Sequence, residues 1–519
     1  MSGDQPSSVS SAVTAAGNAG YVPEYGIKQE TDAGYQTVGE KAFEVPAPAS
    51  ETSTFSPKDT KRLVRKIDWH LLPLICIVYI FCFLDRSNIG NAKLYHFKED
   101  LNLSQADYSW ALSIFYLGYV LLEVPSNLMI KRVRPSLWLA IIIATWGTLS
   151  MCMAANSGVA SLLTIRILLG MAEAGFFPGV VFFFTFWYNN VEIATRVAIF
   201  YSSASIAGAV GGLLAYGIGH IDGHSGLSAW QWLFIIEGIP TIILAAIIYF
   251  CLADNPISAR WLTPEERIHA VERLESSKIV EKHIHHVDWK EVRESFTDPT
   301  VYLHCLIHIA LVVPAYGMSF LLPTVINALG YNALNSQLLT VPLYVFSAIF
   351  GVFNALISDR LRQRAYFNIL PSVMAFIGFV LVVFLKDTVA KYVLLLLVIA
   401  GANGSAAINV AWVSNNTLGK TKTGVTTGFV LMVGNAGGVI SGQMYRSSEA
   451  PDYIGSHMGN AACLAIIVVA SLLARYSYVR KNRHLDAFRQ RADENPAIWE
   501  DPANVPQVLQ IDRDFRYTL

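Results

Sequence analysis

The chain has 519 residues, of which 53% are hydrophobic and only 15% are charged, and its mean hydropathy is +0.41. A soluble chain of this length would need a more highly charged surface, so this composition favours a membrane protein. The formal net charge of −1 argues against a nucleic acid as partner, because phosphate binding requires a basic surface.

The first segment of the chain, residues 1–57, differs in composition from the rest. It is rich in Ser, Gly, Ala, Thr and acidic residues and has almost no apolar clusters. Such a segment buries too little apolar surface to offset its chain entropy, so we predict a disordered cytoplasmic tail. It has no apolar run flanked by positive charge, so we expect no cleaved signal peptide there.

Twelve apolar segments follow, each about as long as the ~20 residues that a helix needs to cross the bilayer. They predict an all-α membrane protein with two six-helix halves, at 58–253 and 300–480. A charged cytoplasmic linker at 254–299 joins the halves, and a second cytoplasmic tail occupies 481–519. The predicted spans are 69–90, 108–130, 137–155, 162–187, 198–218, 232–252, 302–323, 338–357, 366–385, 392–413, 424–445 and 461–478.

The charges of the loops predict the orientation. Lysines and arginines concentrate in alternate loops and beside both ends of the helical region, whereas the opposite loops carry few cations. The side rich in Lys and Arg is normally cytoplasmic, so both termini are expected there. Asn102 and Ser104 then form a glycosylation sequon in the first outer loop, and its use is left open.

The fourth predicted span carries two ionisable residues in the membrane. Arg166 and Gly170 are four residues apart, and Glu173 follows seven residues after Arg166, so all three share one helix face. A guanidinium keeps its charge and binds carboxylates through a planar fork. A buried carboxyl can exchange a proton, so Arg166 is the predicted anion receptor and Glu173 the proton carrier. The alternative is a structural ion pair between helices.

Two further groups carry charge near span ends. Asp85 and Arg86 lie at the outer part of the first span, where they either enter the headgroup layer or place Arg86 in a central cavity with Asp85 as its partner. Glu123 ends the second span close to basic residues that include Arg132, which predicts an ion-pair network for gating. Asp85 is a second candidate for proton coupling.

The second half offers neutral polar groups. His304 and His308 lie one turn apart on the seventh span, and Asn403 and Asn409 lie in the tenth. His308 is a candidate proton relay, or it satisfies a neighbouring backbone carbonyl. Asn403 is a candidate substrate contact. Four aromatic residues are candidates for packing on a ring-shaped substrate, although core or lipid contact is their commoner role: Tyr116, Tyr119, Tyr316 and Trp412.

Several kinds of site are not expected. The six cysteines lie in apolar runs without the spacing of a metal or redox pair, so no metal or cofactor is predicted. Thr417 to Thr421 resembles the end of a phosphate-binding loop, but Ser414 stands where that loop needs its first glycine. Transport driven directly by ATP is therefore not expected, which leaves facilitated diffusion or coupling to an ion gradient. No nucleophile–base pairing indicates an enzyme.

The chain resembles the major facilitator superfamily. The two six-span halves and the sequence SDRLRQR at 358–364 are similar to the superfamily's pattern and loop motif, which implies a gating role for Asp359 and Arg360. The first-half counterpart, EVPSN at 123–127, departs from that motif, as is typical of the anion:cation symporters. Further similarities to that branch are LDRSNIG at 84–90, RILLGMAEAGFFPG at 166–179 and WLFIIEGIP at 232–240.

Within that branch the chain is most similar to the fungal allantoate permease group, especially to nicotinate and related vitamin permeases. The resemblance implies proton-coupled uptake of a small organic anion by a monomer at the plasma membrane. It also implies roles for Arg86, Arg166 and Glu173, which match functional positions in the vesicular glutamate and sialic acid carriers. A facilitated carrier or exporter of the same fold and a transporter-like nutrient sensor are the alternatives.

Overall fold

A computed structural model describes residues 56–130, 132–279, 289–418, 420–445, 447–450, 452–495, 505–506, 508–509 and 515–519. The predicted tail at 1–57 falls almost entirely outside this part of the chain, as does Lys131. Within the described ranges the chain is helical and contains no β-strand. The predicted fold class, an all-α membrane protein, is thus confirmed.

In its described residues the first half contains eight α-helices, two of which lie in series within one crossing. Ser56 caps the first helix through a capping box with Asp59, which satisfies backbone N–H groups that would otherwise lack partners. The helices are α1 (Pro57–Ala92), α2 (Phe97–Asp100), α3 (Gln105–Met129), α4 (Pro135–Met153), α5 (Val159–Glu173), α6 (Phe176–Phe184), α7 (Asn190–Ile218) and α8 (Ala229–Cys251).

Two linker helices and the second half follow. The linker holds α9 (Pro264–Ile279) and α10 (Trp289–Thr297). The second half consists of α11 (Pro299–Ala328), α12 (Ala333–Leu361), α13 (Arg364–Phe384), α14 (Thr388–Asn403), α15 (Ala406–Asn415), α16 (Lys420–Met444) and α17 (Ile454–Glu494). The last helix continues well beyond the predicted twelfth span.

In the described residues, eleven of the twelve predicted spans are long and apolar enough to cross a membrane. The exception is the second span, α3. Its 25 residues give a length of about 37 Å, but serines, tyrosines and Glu123 lower its hydropathy. This helix packs between α5 of its own half and α16 of the other half. Its polar residues therefore face other helices rather than lipid.

One crossing in each half is broken at the same ordinal place. The fourth crossing changes from α5 to α6 at Ala174 and Gly175, and the tenth changes from α14 to α15 at Gly404 and Ser405. Interrupted helices in matching positions of two repeats frequently mark the binding site of a transporter. Glu173 is the last residue of α5.

In the described residues the most extensive contacts between the two halves are those of α1 with α11, α3 with α16 and α7 with α12. We call the side on which α1 begins and α17 ends the terminal side, and the opposite side the distal side. Near the distal side, the Ser113 hydroxyl donates to the Val439 carbonyl at 2.8 Å, and the Gln337 amide donates to the Asn91 carbonyl at 3.3 Å. These contacts close the seam between the halves on the distal side.

Candidate functional site

A buried ion pair joins α1 to the end of α5. Arg86 Nε donates to Glu173 Oε2 at 2.5 Å, with the side chain of Arg86 8% exposed and that of Glu173 inaccessible. Arg86 thus faces the helical interior, not the headgroup layer. Its partner is Glu173, which differs from the expected Asp85, and Asp85 instead accepts a hydrogen bond from Ser150 on α4 at 2.5 Å. Consecutive helix residues point about 100° apart, so Asp85 and Arg86 face different neighbours.

Arg166 lies fully buried beside this pair. Its Nε donates to the Ala111 carbonyl at 3.0 Å, and its guanidinium lies 4.8 Å from the centre of the Phe115 ring. Among the residues that the structure describes, neither Nη1 nor Nη2 has a hydrogen-bond partner. Burying guanidinium N–H donors without acceptors is costly. The same Phe115 ring also lies 5.6 Å from the guanidinium of Arg86.

Close packing of α3 against α5 sets this geometry. A Cβ atom added at Gly170 would collide with the Phe115 carbonyl oxygen, and one added at Gly118 would collide with the Ile167 carbonyl oxygen. Only glycine allows this backbone approach. Because Gly170 lies one turn after Arg166, the close contact holds Phe115 against the guanidinium.

Aromatic residues from both halves cover the arginines. The rings of Tyr116 on α3 and Tyr316 on α11 stack with centroids 4.9 Å apart and an interplanar angle of 23°. The side chain of Tyr316 also lies beside that of Arg86, and the ring of Tyr119 lies 4.8 Å from that guanidinium. The Tyr116 hydroxyl has no partner in the described part of the chain. The sequence singled out all three tyrosines but gave no signal for Phe115 or Ser150.

The polar residues of the second half form a separate cluster nearer the terminal side. His304 contacts the Asn409 side chain at 2.9 Å through Nδ1 and the Tyr478 hydroxyl at 2.9 Å through Nε2. Asn409 in turn contacts His308 at 3.3 Å. His308 precedes Tyr316 by eight residues, about 12 Å along a helix, so this cluster is distinct from the arginine site.

Two more predicted substrate contacts also lie apart from the arginines. Trp412 donates from its indole nitrogen to the Thr518 carbonyl at 2.9 Å, which places it against the C-terminal segment. Asn403, half-buried at the end of α14, donates to the Ile399 carbonyl of its own helix at 3.0 Å. In the described ranges, neither side chain hydrogen-bonds to Arg86, Arg166 or Glu173.

The predicted gating residues lie at helix ends. Glu123 is buried and its carboxyl lies beside Asn435 of α16, a neighbour that the sequence did not indicate, whereas Arg132 is exposed. Asp359 forms an ion pair with Arg364 across the α12–α13 loop, and Arg360 is exposed. The Glu123–Asn435 contact crosses between the halves, so a change in their relative position would break it.

This arrangement of twelve crossings, two broken helices in equivalent positions and a buried charged cluster defines a multi-pass membrane transporter. Residues 75–442 match the Major Facilitator Superfamily, and the chain belongs to that family. Transporters of this family act on small-molecule substrates in a membrane.

Curated relatives agree with this assignment. The MFS transporter prlL of Fungal sp. is 35% identical over 82% of this chain and 88% of its own length. The Major facilitator-type transporter hxnP of Emericella nidulans is 32% identical over 84% of this chain and 90% of its own. An uncharacterized transporter of Schizosaccharomyces pombe, C1683.12, is 35% identical over 83% and 89%.

Solved structures share the fold at low sequence identity. A bacterial homologue of the human lysosomal transporter Spinster, in an inward-facing and occupied conformation, superposes with a TM-score of 0.63 at 14% identity, covering 80% of this chain and 98% of that chain. A D-xylose–proton symporter superposes with a TM-score of 0.61 at 13% identity, covering 78% and 97%.

Proposed function

We propose that this chain is a proton-coupled symporter of a small organic anion, a carboxylate such as nicotinate or a related vitamin. It would belong to the anion:cation symporter branch and act as a monomer in the plasma membrane with both termini cytoplasmic. The observation that carries the proposal is the pair of unpartnered Arg166 nitrogens in a fully buried site. A carboxylate satisfies both nitrogens through two parallel hydrogen bonds.

Charge balance gives each ionic residue a separate role. Arg86 is neutralised by Glu173, whereas Arg166 has no ion-pair partner in the described ranges, so the cluster of three carries a net positive charge when Glu173 is ionised. A proton on Glu173 would release Arg86 from its ion pair. The cluster would then present two guanidinium groups to one carboxylate, which favours binding of the anion together with the proton.

The transport cycle follows from this linkage. With the distal side open, a proton binds Glu173 and the substrate carboxylate binds Arg166 and Arg86. The halves then rock about the central site, and proton and anion leave on the terminal side. The Arg86–Glu173 ion pair, together with the closed distal seam, corresponds to the state after release. The shared fold of the D-xylose–proton symporter supports proton coupling on such a scaffold.

Aromatic packing supports a ring-shaped substrate. Tyr116, Tyr316 and Phe115 surround the arginines with π faces and one free hydroxyl. A planar pyridine carboxylate would bind its charge at Arg166 and stack its ring on a tyrosine.

Uptake into proteoliposomes tests the proposal. Labelled nicotinate should accumulate when the outer pH is lower, and nicotinamide, which lacks the carboxylate, should not. Arg166→Ala should reduce uptake on the order of a hundredfold, because losing one partner of a buried charge pair costs about 3 kcal/mol. Arg475→Ala is the matched control, since Arg475 of α17 donates to Gln363, the residue before α13, and not to the arginine site.

The same assay separates the alternatives. Uptake that persists unchanged after collapse of the pH gradient would identify a facilitated carrier. Accumulation in the opposite direction would identify an exporter. Substrate binding without flux would instead indicate a sensor.

A further inference from the structure

A second buried carboxyl contacts α1 on the side away from Arg86. The Asn88 amide nitrogen donates to Glu237 Oε2 on α8, and both side chains are fully inaccessible to solvent. Glu237 has no ion-pair partner among the described residues. It lies outside the proposed transport cycle.

Two unsatisfied oxygen atoms lie on these same two side chains. Within the described part of the chain, Glu237 Oε1 and Asn88 Oδ1 have no hydrogen-bond partner. Both atoms are acceptors when the carboxyl is ionised, so neither can bind the other. A buried carboxylate without a cation and with one bare oxygen would cost several kcal/mol.

A single proton between these two oxygen atoms would satisfy both. We propose that Glu237 carries a resident proton on Oε1 and donates it to Asn88 Oδ1, while Asn88 Nδ2 donates to Glu237 Oε2. The two side chains then form a cyclic acid–amide pair with two parallel hydrogen bonds, and all four polar atoms are satisfied. The ligand of this site is a single proton, and no other group is required.

The surroundings favour the neutral acid. The ionisable group that faces Glu237 from α1 is Asp85, an acid that cannot compensate a negative charge. Helices α4 and α8, which pack closely together, carry no Lys, Arg or other acid. The proton is engaged by Asn88 and inaccessible to solvent, so it stays bound through the transport cycle.

The pair gives α1 a fixed rotational position. Asn88 follows Arg86 by two residues, which places their side chains about 200° apart around the helix. One face of α1 is thus held by the ionised Glu173 on α5 and the opposite face by the neutral Glu237 on α8. Glu237 is a positioning residue that keeps Arg86 directed towards Glu173.

Infrared spectroscopy of the purified full chain tests the protonation directly, independently of the transported solute. A free glutamic acid is ionised at pH 7, because its pKa is about 4.3. We expect a protonated carboxylic C=O band at pH 7 that shifts in D₂O and is missing in Glu237→Gln. The band should remain in Asp85→Asn. Its absence from the unmodified chain, or its persistence in Glu237→Gln, would overturn the proposal.

Two variants of Glu237 distinguish the effect of a neutral hydrogen-bonding side chain from the effect of packing alone. Glutamine forms the same two hydrogen bonds to Asn88, so Glu237→Gln should keep the thermal stability and about half or more of the uptake of the unmodified chain. Glu237→Leu should lose both, because it leaves the Asn88 amide unsatisfied. A stable Glu237→Gln protein without uptake would show that the proton must leave, and would contradict a resident proton.

Discussion

The membrane interiors of the two halves use different chemistry. The first half buries Arg86, Arg166 and Glu173, whereas the buried polar cluster of the second half consists of His304, Asn409 and their neutral neighbours. In the described part of the second half, lysines, arginines and carboxylates lie near helix ends, in loops or on the terminal-side half of α17. Charge recognition therefore belongs to one half, and the other contributes aromatic and neutral polar surface.

This asymmetry suits a rocking mechanism. If ion pairs crossed between the halves at the centre, each transport cycle would have to break a buried ion pair, which is costly in a low-dielectric interior. Here Arg86 and Glu173 move together with the first half. What crosses to the other half at the centre is the stacking of Tyr316 on Tyr116, which is cheaper to break. The predictions below test this division, starting with the largest effect.

Breaking the ion pair should destabilise the first half strongly. Arg86→Met leaves Glu173 as an uncompensated buried carboxylate, with an expected loss of about 3–5 kcal/mol in the free energy of unfolding. The double variant Arg86→Met/Glu173→Leu removes both charges and should recover most of that stability while remaining inactive in uptake. Thermal unfolding in detergent measures both.

The matched change in the second half is His304→Gln, which removes neutral hydrogen bonds and should cost about 1 kcal/mol. Equal losses for Arg86→Met and His304→Gln would refute the proposed difference between the halves.

Removing only the proton site should uncouple transport. Glu173→Gln keeps an oxygen that accepts from Arg86 Nε but cannot bind and release a proton. We expect loss of gradient-driven accumulation, whereas exchange of internal for external substrate continues. Counterflow in proteoliposomes without a pH gradient measures the exchange. Accumulation at the level of the unmodified chain would exclude Glu173 as the coupling residue.

Contacts between the halves should be sensitive to a single methyl group. A Cβ added at Gly438 of α16 would overlap the Tyr116 ring, so Gly438→Ala should cost about 1–3 kcal/mol through overpacking and slow the transport cycle. Gly428 of the same helix has open space around its Cβ position, and Gly428→Ala is the control. The ratio of the two uptake rates measures the effect. Equal rates would mean that this contact does not limit the motion.

The fold could be predicted from the sequence because length and apolarity alone define a crossing. Eleven spans meet that criterion, and α3 was identified from its length although its serines and tyrosines lower its hydropathy. The breaks after Glu173 and Asn403 gave no comparable signal. Each depends on how closely neighbouring helices pack against the break, as where the Ser126 side chain lies against Gly175, and a single segment does not encode that.

The sequence indicated which charged residues form the site, but not which of them form an ion pair. Charged residues inside an apolar span are conspicuous, so Arg86, Arg166 and Glu173 were all identified. Their partners depend on the rotation and contact of helices that are distant in sequence. The helical spacing of Arg166 and Glu173 indicated one shared face, whereas the structure pairs Glu173 with Arg86, 87 residues away in the sequence.

The smallest effect is expected at the linker, where charges meet water. Lys66 binds Glu266 of α9 at 2.6 Å, and both side chains are about one-third exposed. Such a pair contributes about 0.2–1 kcal/mol and weakens in salt. Glu266→Gln should therefore lower stability slightly, whereas the exposed neighbour Glu265→Gln serves as control. Thermal unfolding at low and high salt measures the difference, which should vanish at high salt.

The pH dependence of this pair has a definite sign. Burial acts to raise the pKa of Glu266, but the hydrogen bonds from Lys66 and the Thr263 backbone, together with the charge of Lys66, outweigh it, and the pKa is lowered from its ordinary value. The contribution is therefore present above the unfolded pKa of about 4.3 and is lost as the pH falls through the lower folded value. If the difference in stability between Glu266→Gln and the unmodified chain grew on acidification, the result would contradict the ion pair.

The same acidification should leave the Glu237–Asn88 pair intact, because its carboxyl already carries a proton.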